Sequence, residues 1–218
     1  RQRSQGGQRG DRGGQRRQGG RGQGKGKGHQ NQPRAEPKEL KDESWARVLE
    51  HDVKGGKATV MAEKSLMFCS LKVKATKLMP INHRIFIGKD RSKRTEVVGI
   101  DTVVRLDKMS NMARQDVPSL VQMFVEEHAQ YFVDEFYNKA GPMSLKQHSY
   151  ELLPEVGPKK AQNMVKAREQ VGVFASMDEL NAKTKIKGAA LLAQRFVEEL
   201  EDKTLVPRLI ELLLPVES

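Results

Sequence analysis

Residues 152–164, LLPEVGPKKAQNM, place Pro-Glu-Val-Gly-Pro between two apolar helical patterns and follow the turn with paired lysines. Ser144 suits the N-cap of a helix running through Leu145, Leu152 and Leu153. Pro154 ends that helix, and Gly157 supplies a backbone conformation that side chains resist. Pro158 fits the first position of the next helix, which continues through Ala161, Met164, Val165 and Arg168. The pattern predicts helix, tight hairpin, helix. Backbone N–H groups at Val156 and Gly157 lie where the helix dipole is positive, and Lys159 and Lys160 add full charges beside them. A phosphate diester fits such a grip without any base being read.

A second unit follows. Phe174 and the capping box Ser176–Glu179 start a short helix through Leu180, Lys183–Gly188 (KTKIKG) makes the turn, and Ala189–Leu200 forms the next helix. Lys183, Lys185, Lys187 and Gly188 are its candidate phosphate ligands. Both units resemble the helix-hairpin-helix motif, whose core is Leu-Pro-Gly-hydrophobe-Gly followed by a basic and a small residue. Here the core is Leu153-Pro154-Glu155-Val156-Gly157 with Lys159, Lys160 and Ala161 behind it. Glu155 replaces the first motif glycine, and Lys187 replaces the second in the later copy. The Phe174-x-Ser176-x-x-x-Leu180 step is the kind that joins tandem copies. The competing reading is a helical protein-interaction module.

Upstream, residues 44–106 read as about five short strands, with turn signals at Gly55-Gly56 and at KDRSKR. They predict a small OB/S1-like β-barrel. His83 and Arg84, with Lys89, Arg91, Lys93 and Arg94 in the basic turn, are further candidate nucleic-acid contacts, against the alternative of a solvated turn. Trp45, Phe68 and Phe86 are the candidates for base stacking, or for core. From Met109 the apolar spacing becomes helical, giving one long helix with Pro118 in its first turn and a stop at Gly141-Pro142. Glu126, Glu127, Asp134 and Glu135 read as its solvated face rather than as metal ligands.

The chain of 218 residues carries a formal net charge of +11, and residues 1–30 alone hold nine Lys/Arg against one acid. This Arg/Gly/Gln-rich arm cannot bury enough apolar surface to order itself, so disorder is expected there and through a Pro/Glu/Lys linker to residue 43. Arg9, Arg12, Arg16, Arg17, Arg21, Lys25 and Lys27 suit phosphate pairing and base stacking, or act as a solubilising tail. At the other end, residues 203–218 carry Leu209, Ile210, Leu212, Leu213 and Leu214, which either cover the core or dock a protein partner or second copy. The expected division is therefore 1–43 arm and linker, 44–106 barrel, 107–142 connecting helical segment, 143–202 tandem hairpins and 203–218 apolar segment. The fold class is α+β with a disordered N-terminal tail.

Cys69 is the only cysteine, which excludes an intramolecular disulfide and a zinc ribbon and points to a reducing, cytoplasmic compartment. No apolar leader opens the chain and no run of about 20 apolar residues appears, so no membrane contact is expected. The five histidines lack metal-ligand spacing, and no cofactor motif appears.

Over Trp45 to about Leu200 the layout resembles the uncharacterised, mainly archaeal family known as domain of unknown function 655. The shared marks are W-A-x-V-L at Trp45, HRIFIGK at His83, FYNKAGP at Phe136 and ELLPEVGPKKA at Glu151. The resemblance implies an S1/OB-like barrel joined to tandem helix-hairpin-helix units, with nucleic-acid binding presumed. The leading expectation is a non-enzymatic, largely sequence-independent nucleic-acid-binding protein that prefers RNA to DNA. The alternatives are a DNA-binding or repair accessory protein, an interaction scaffold, and more remotely a base-excision glycosylase or lyase. That last would use Lys159 or Lys160 with Asp178, but the acid also belongs to a capping box and no further domain is present to hold a flipped base.

Overall fold

Residues 57–73 set the pattern of the sheet. Ala58, Val60 and Ala62 alternate with Lys57, Thr59 and Met61 on one strand, and Cys69, Leu71 and Val73 with Phe68, Ser70 and Lys72 on the next. In the computed structural model, which describes residues 35–74 and 76–216, they lie on β2 (Lys57–Ala62) and β3 (Phe68–Val73). β1 (Trp45–Asp52), β4 (Arg84–Phe86) and β5 (Val97–Val104) complete one antiparallel sheet of order β4-β1-β2-β3-β5. The fold is α+β, a curled half-barrel followed by helices. β4 is antiparallel to β1 and β5 antiparallel to β3, so β4 and β5 run in the same direction and remain the two edges of the sheet.

Residues 35–43 strap this opening, which corrects the expectation of a disordered linker to residue 43. Leu40 is buried in the same core as Ile87 and Ile100. The Glu36 carboxylate receives Arg94 Nη1 at 2.6 Å and Nη2 at 3.1 Å. An apolar anchor and a bidentate ion pair together order the segment. The arm itself, residues 1–30, lies outside the described residues.

The sheet separates two cores. Ala46, Val48, Val60, Cys69 and Leu71 face one of them. Leu49, Met61 and Phe68, one residue along in the alternation, enter the helical core on the other face. α1 (Asn111–Glu127) is capped by Ser110, whose Oγ accepts the Ala113 N–H at 3.0 Å. Pro118 is thus mid-helix rather than in the first turn. The long helix expected here breaks at His128 and resumes as α2 (Ala129–Phe132) and a π turn (Val133–Tyr137). The aromatic stripe of Phe124, Phe132 and Phe136 is core.

α3 (Pro158–Val171), α4 (Met177–Thr184) and α5 (Gly188–Glu201) form the hairpin region, with α5 against α1. α6 (Leu209–Leu213) sends Leu209, Ile210 and Leu213 into the same core, so of the two readings of the C-terminal segment the structure supports core. Glu199, wholly buried on α5, accepts the N–H groups of Leu209 and Ile210 at 2.8 and 3.0 Å and the Arg195 Nε at 2.8 Å. Among the described residues no helix is long and apolar enough to cross a membrane.

Candidate nucleic-acid interface

The two hairpins share one backbone path. In the first, Glu155 is left-handed at φ +61°, Val156 is buried, Gly157 is the N-cap and Pro158 starts α3. In the second, Lys185 is left-handed at φ +60°, Ile186 packs on the core, Lys187 is the N-cap and Gly188 starts α5. The tight reversal therefore falls two residues before each N-cap, where the motif places its first glycine. Gly157, expected to hold the special conformation, has an ordinary φ of −86°. Lys187, at the second glycine position, is undistorted at φ −103°. In both turns the hydrophobe after the left-handed residue anchors the loop, leaving the helix start outside.

The first unit lacks the helix expected from Ser144. A 3₁₀ turn over Ser149–Leu152 precedes the hairpin, capped by His148: its Nδ1 accepts the Tyr150 N–H at 3.1 Å, and its own N–H donates to Glu151 at 2.8 Å. The signal was present in sequence as His148-x-x-Glu151, a capping box with an imidazole in place of a hydroxyl. In the second unit Ser176 caps α4 by accepting the Glu179 N–H at 3.2 Å, so the neighbouring Asp178 stands in a helix's first turn.

The candidate phosphate ligands divide on this geometry. The Val156 N–H is spent on Leu153 C=O at 3.2 Å, and the Gly188 N–H on Asn181 Oδ1 at 2.7 Å, so neither offers a free donor. Gly188 is instead a packing residue, since a Cβ there would lie 2.6 Å from Met177 Sδ and 2.9 Å from Leu180 Cδ2. Its carbonyl also accepts the Tyr137 hydroxyl at 2.8 Å. Asn181 and Tyr137 were not legible as hairpin residues, because their partner is backbone. Gly157, Lys159 and Lys160 are exposed at the start of α3, and Lys183, Lys185 and Lys187 are exposed around the second turn.

The barrel-side candidates mostly have acidic partners. Arg94, with its side chain 3% exposed, bonds Gly88 C=O and Glu36, and so is a structural residue rather than a surface contact. Lys89 lies 3.4 Å from Asp42, Arg91 3.4 Å from Glu36 and Lys93 3.6 Å from Asp90, all exposed. His83 Nε2 meets Glu96 at 2.8 Å. Arg84 pairs with Glu63 through two 2.9 Å bonds and stacks 4.4 Å above the Trp45 ring. Phe68 is buried, whereas Trp45, at 38% exposure, is open beside Phe86. Arg9, Arg12, Arg16, Arg17, Arg21, Lys25 and Lys27 lie outside the described residues. No cluster of His, Cys, Asp and Glu suited to a metal ion occurs among the described residues.

The model of the family described as "Protein of unknown function (DUF655)" matches residues 49–207, from within β1 to the approach to α6. The chain belongs to the DUF655 family. A curated relative, "Uncharacterized protein MJ0038" of Methanocaldococcus jannaschii, is 25% identical over 122 residues, covering 56% of this chain and 54% of the relative. The chain thus spans about half the length of that relative. The crystal structure of Af1531 from Archaeoglobus fulgidus, also a DUF655 protein, matches with a TM-score of 0.69 at 21% identity, over 77% of this chain and 99% of that one. At that identity the likeness concerns the fold. The DUF655 match spans both the sheet and the paired hairpins, so the two parts recur together.

Proposed function

We propose that this DUF655 protein binds nucleic acid without catalysis, holding backbone phosphates at the starts of α3 and α5, with little sequence preference and a preference for RNA over DNA. The observation that carries the reading is the repeated hairpin: two turns of one backbone path, each opening a 14-residue helix and each ringed by exposed lysines. Helix starts attract anions, and a lysine pair turns that weak field into a phosphate site. The basic arm would add long-range attraction and raise the effective concentration of the strand near the hairpins. The RNA preference rests on the arm's Arg-Gly composition and the S1-like curl of the sheet. A cytoplasmic setting agrees with Cys69, which is buried, its thiol pushed up to about 12 by loss of solvent.

The test is anisotropy titration of single-stranded RNA, single-stranded DNA and duplex DNA at several salt concentrations. It compares the full chain, residues 31–218, and residues 31–218 carrying Gly157→Val, Lys159→Ala and Lys160→Ala. Each phosphate contact adds roughly 0.7 to the log–log salt slope for single strands and 0.9 for duplex. The proposal expects the folded triple variant to lose both affinity and slope, and RNA to bind tighter than DNA. Binding that disappears with the arm and ignores the triple substitution would instead make the hairpins a protein-docking scaffold.

A further inference from the structure

Between the loop of residues 142–148 and the outer face of α3 lies a cleft of about 380 Å³, within the roughly 300–1,000 Å³ of small-ligand sites. Its floor is α3 itself. Pro158, Ala161 and Val165 line it at three- and four-residue steps, so the cleft begins at the first residue of the helix whose start is the proposed phosphate grip. His148 and the fully exposed Leu145 stand opposite, and Gln147 and Gln162 contribute from both sides.

The loop wall is built rather than loose. Gly141 and Ser149 bind each other reciprocally, Pro142 and His148 form an isolated bridge, and the N–H groups of Met143 and Ser144 both reach Gln147 C=O. Because His148 Nδ1 accepts the Tyr150 N–H, its Nε2 carries the proton and acts as a donor. Burial, with Arg168 nearby, keeps the ring's pKa below the usual histidine value, which favours the neutral form. The site thus joins apolar walls to neutral donors and acceptors, with Lys146 and Lys166 also at its edge. Of its two acids, Glu151 is held by the His148 N–H, and Glu169 is exposed on α3.

We infer that this cleft receives one unpaired nucleobase whose own phosphate sits at the start of α3. This rests on the phosphate-binding reading and narrows it to strands that present an unstacked base. A flat heteroaromatic ring matches the chemistry: its faces meet Pro158, Val165 and Leu145, and its polar edge meets the two amides and the imidazole N–H. A base in a duplex has that edge occupied and cannot enter without leaving its stack. Binding would therefore discriminate single strands from duplexes without reading sequence strongly.

The experiment uses the full chain and two single-stranded 12-mers of equal phosphate number, one of adenine nucleotides and one abasic throughout. The adenine strand is expected to bind at least about fivefold tighter, the lower end of what one base contact contributes. The double variant Gln147→Leu with Gln162→Leu changes two exposed side chains and erases the amides. It should bring the ratio close to one while leaving the salt slope unchanged. Equal binding of the two strands by the unaltered chain would overturn the base cleft alone. A ratio that survives in the double variant would place base contact elsewhere and also overturn it. Absence of binding to both strands would instead remove the phosphate reading on which it rests.

Discussion

Arg47 on β1 and Glu127 at the end of α1 are joined by two parallel hydrogen bonds, Nη2 to Oε1 at 2.8 Å and Nη1 to Oε2 at 2.5 Å. The Arg47 side chain is 2% exposed, and its Nε also lies 2.9 Å from Glu63. Sheet and helical layer are thereby fixed to each other across 80 residues of chain. Breaking one partner of a buried pair costs about 3–5 kcal/mol. Glu127 is half exposed and Glu63 remains, so Glu127→Gln is expected to lose only about 1–3 kcal/mol. A lower urea midpoint at constant m-value would confirm it; an unchanged midpoint would show the pair to be dispensable.

Acid should weaken the fold in two stages. His128 and His148 are both depressed, in each case first by burial and then by a nearby arginine. A depressed histidine contributes stability that is complete above about pH 6.5 and is lost as pH falls below it. The Glu127 carboxyl is held below the usual range first by its bond to Arg47, and Glu36 by its bond to Arg94. Their contribution is complete above about pH 4.3 and is lost as pH falls through their lower folded values. Melting temperature should thus decline below pH 6.5 and again below pH 4.3; a flat profile from pH 7 to 5 contradicts the first stage.

Glu155→Gly and Lys185→Gly should act alike on stability and oppositely on binding. Each relieves a left-handed residue costing about 1–2 kcal/mol, against about 0.5–1 kcal/mol of added chain entropy in the unfolded state. A net gain of about 0.5–1 kcal/mol is expected for both. The first also removes an acid beside the phosphate grip and should raise affinity for single-stranded RNA. The second removes a lysine and should lower it. Calorimetry with anisotropy on the same samples separates the two effects.

Gly188, outside the motif's glycine positions, should matter more to the fold than Gly157, which holds the second of them. Gly188→Ala drives a methyl into Met177 and Leu180, a change expected to cost about 1–3 kcal/mol. Gly157→Ala meets nothing within 4 Å and leaves the fold within about 0.5 kcal/mol. Equal destabilisation by both would refute the close packing of Met177 and Leu180 against Gly188.

Ending the chain at Lys203 removes three buried aliphatics, Leu209, Ile210 and Leu213. At about 1.5–3 kcal/mol each, their loss rivals the 5–15 kcal/mol stability of an ordinary domain. Cooperative melting should disappear. A truncated chain that melts normally would return α6 to the role of a docking segment.

Much of this architecture was legible because it depends on local period. Alternation of Leu71 and Val73 with Lys72 and Lys74 gave a strand, the Leu120–Phe136 stripe gave a buried helical face, and Pro158 after Gly157 gave a helix start. What failed locally were competitions between near-equal caps. Ser144 looked like an N-cap, yet His148 starts the turn, because its imidazole and Glu151 satisfy two donors together.

The sequence by itself determined the strands, most of the helices, the paired hairpins and the lysines around them, since these follow from propensity, capping and charge. Only the tertiary structure decided which backbone donors stay free. Gly188 looks like a phosphate ligand until Asn181 is brought beside its N–H, and Arg94 looks like surface charge until Glu36 folds back onto it, whereas the Val156 N–H is spent locally on Leu153 C=O within its own turn. A hydrogen bond consumes a donor whatever the motif around it, and the partners here come from side chains and carbonyls that no residue pattern marks.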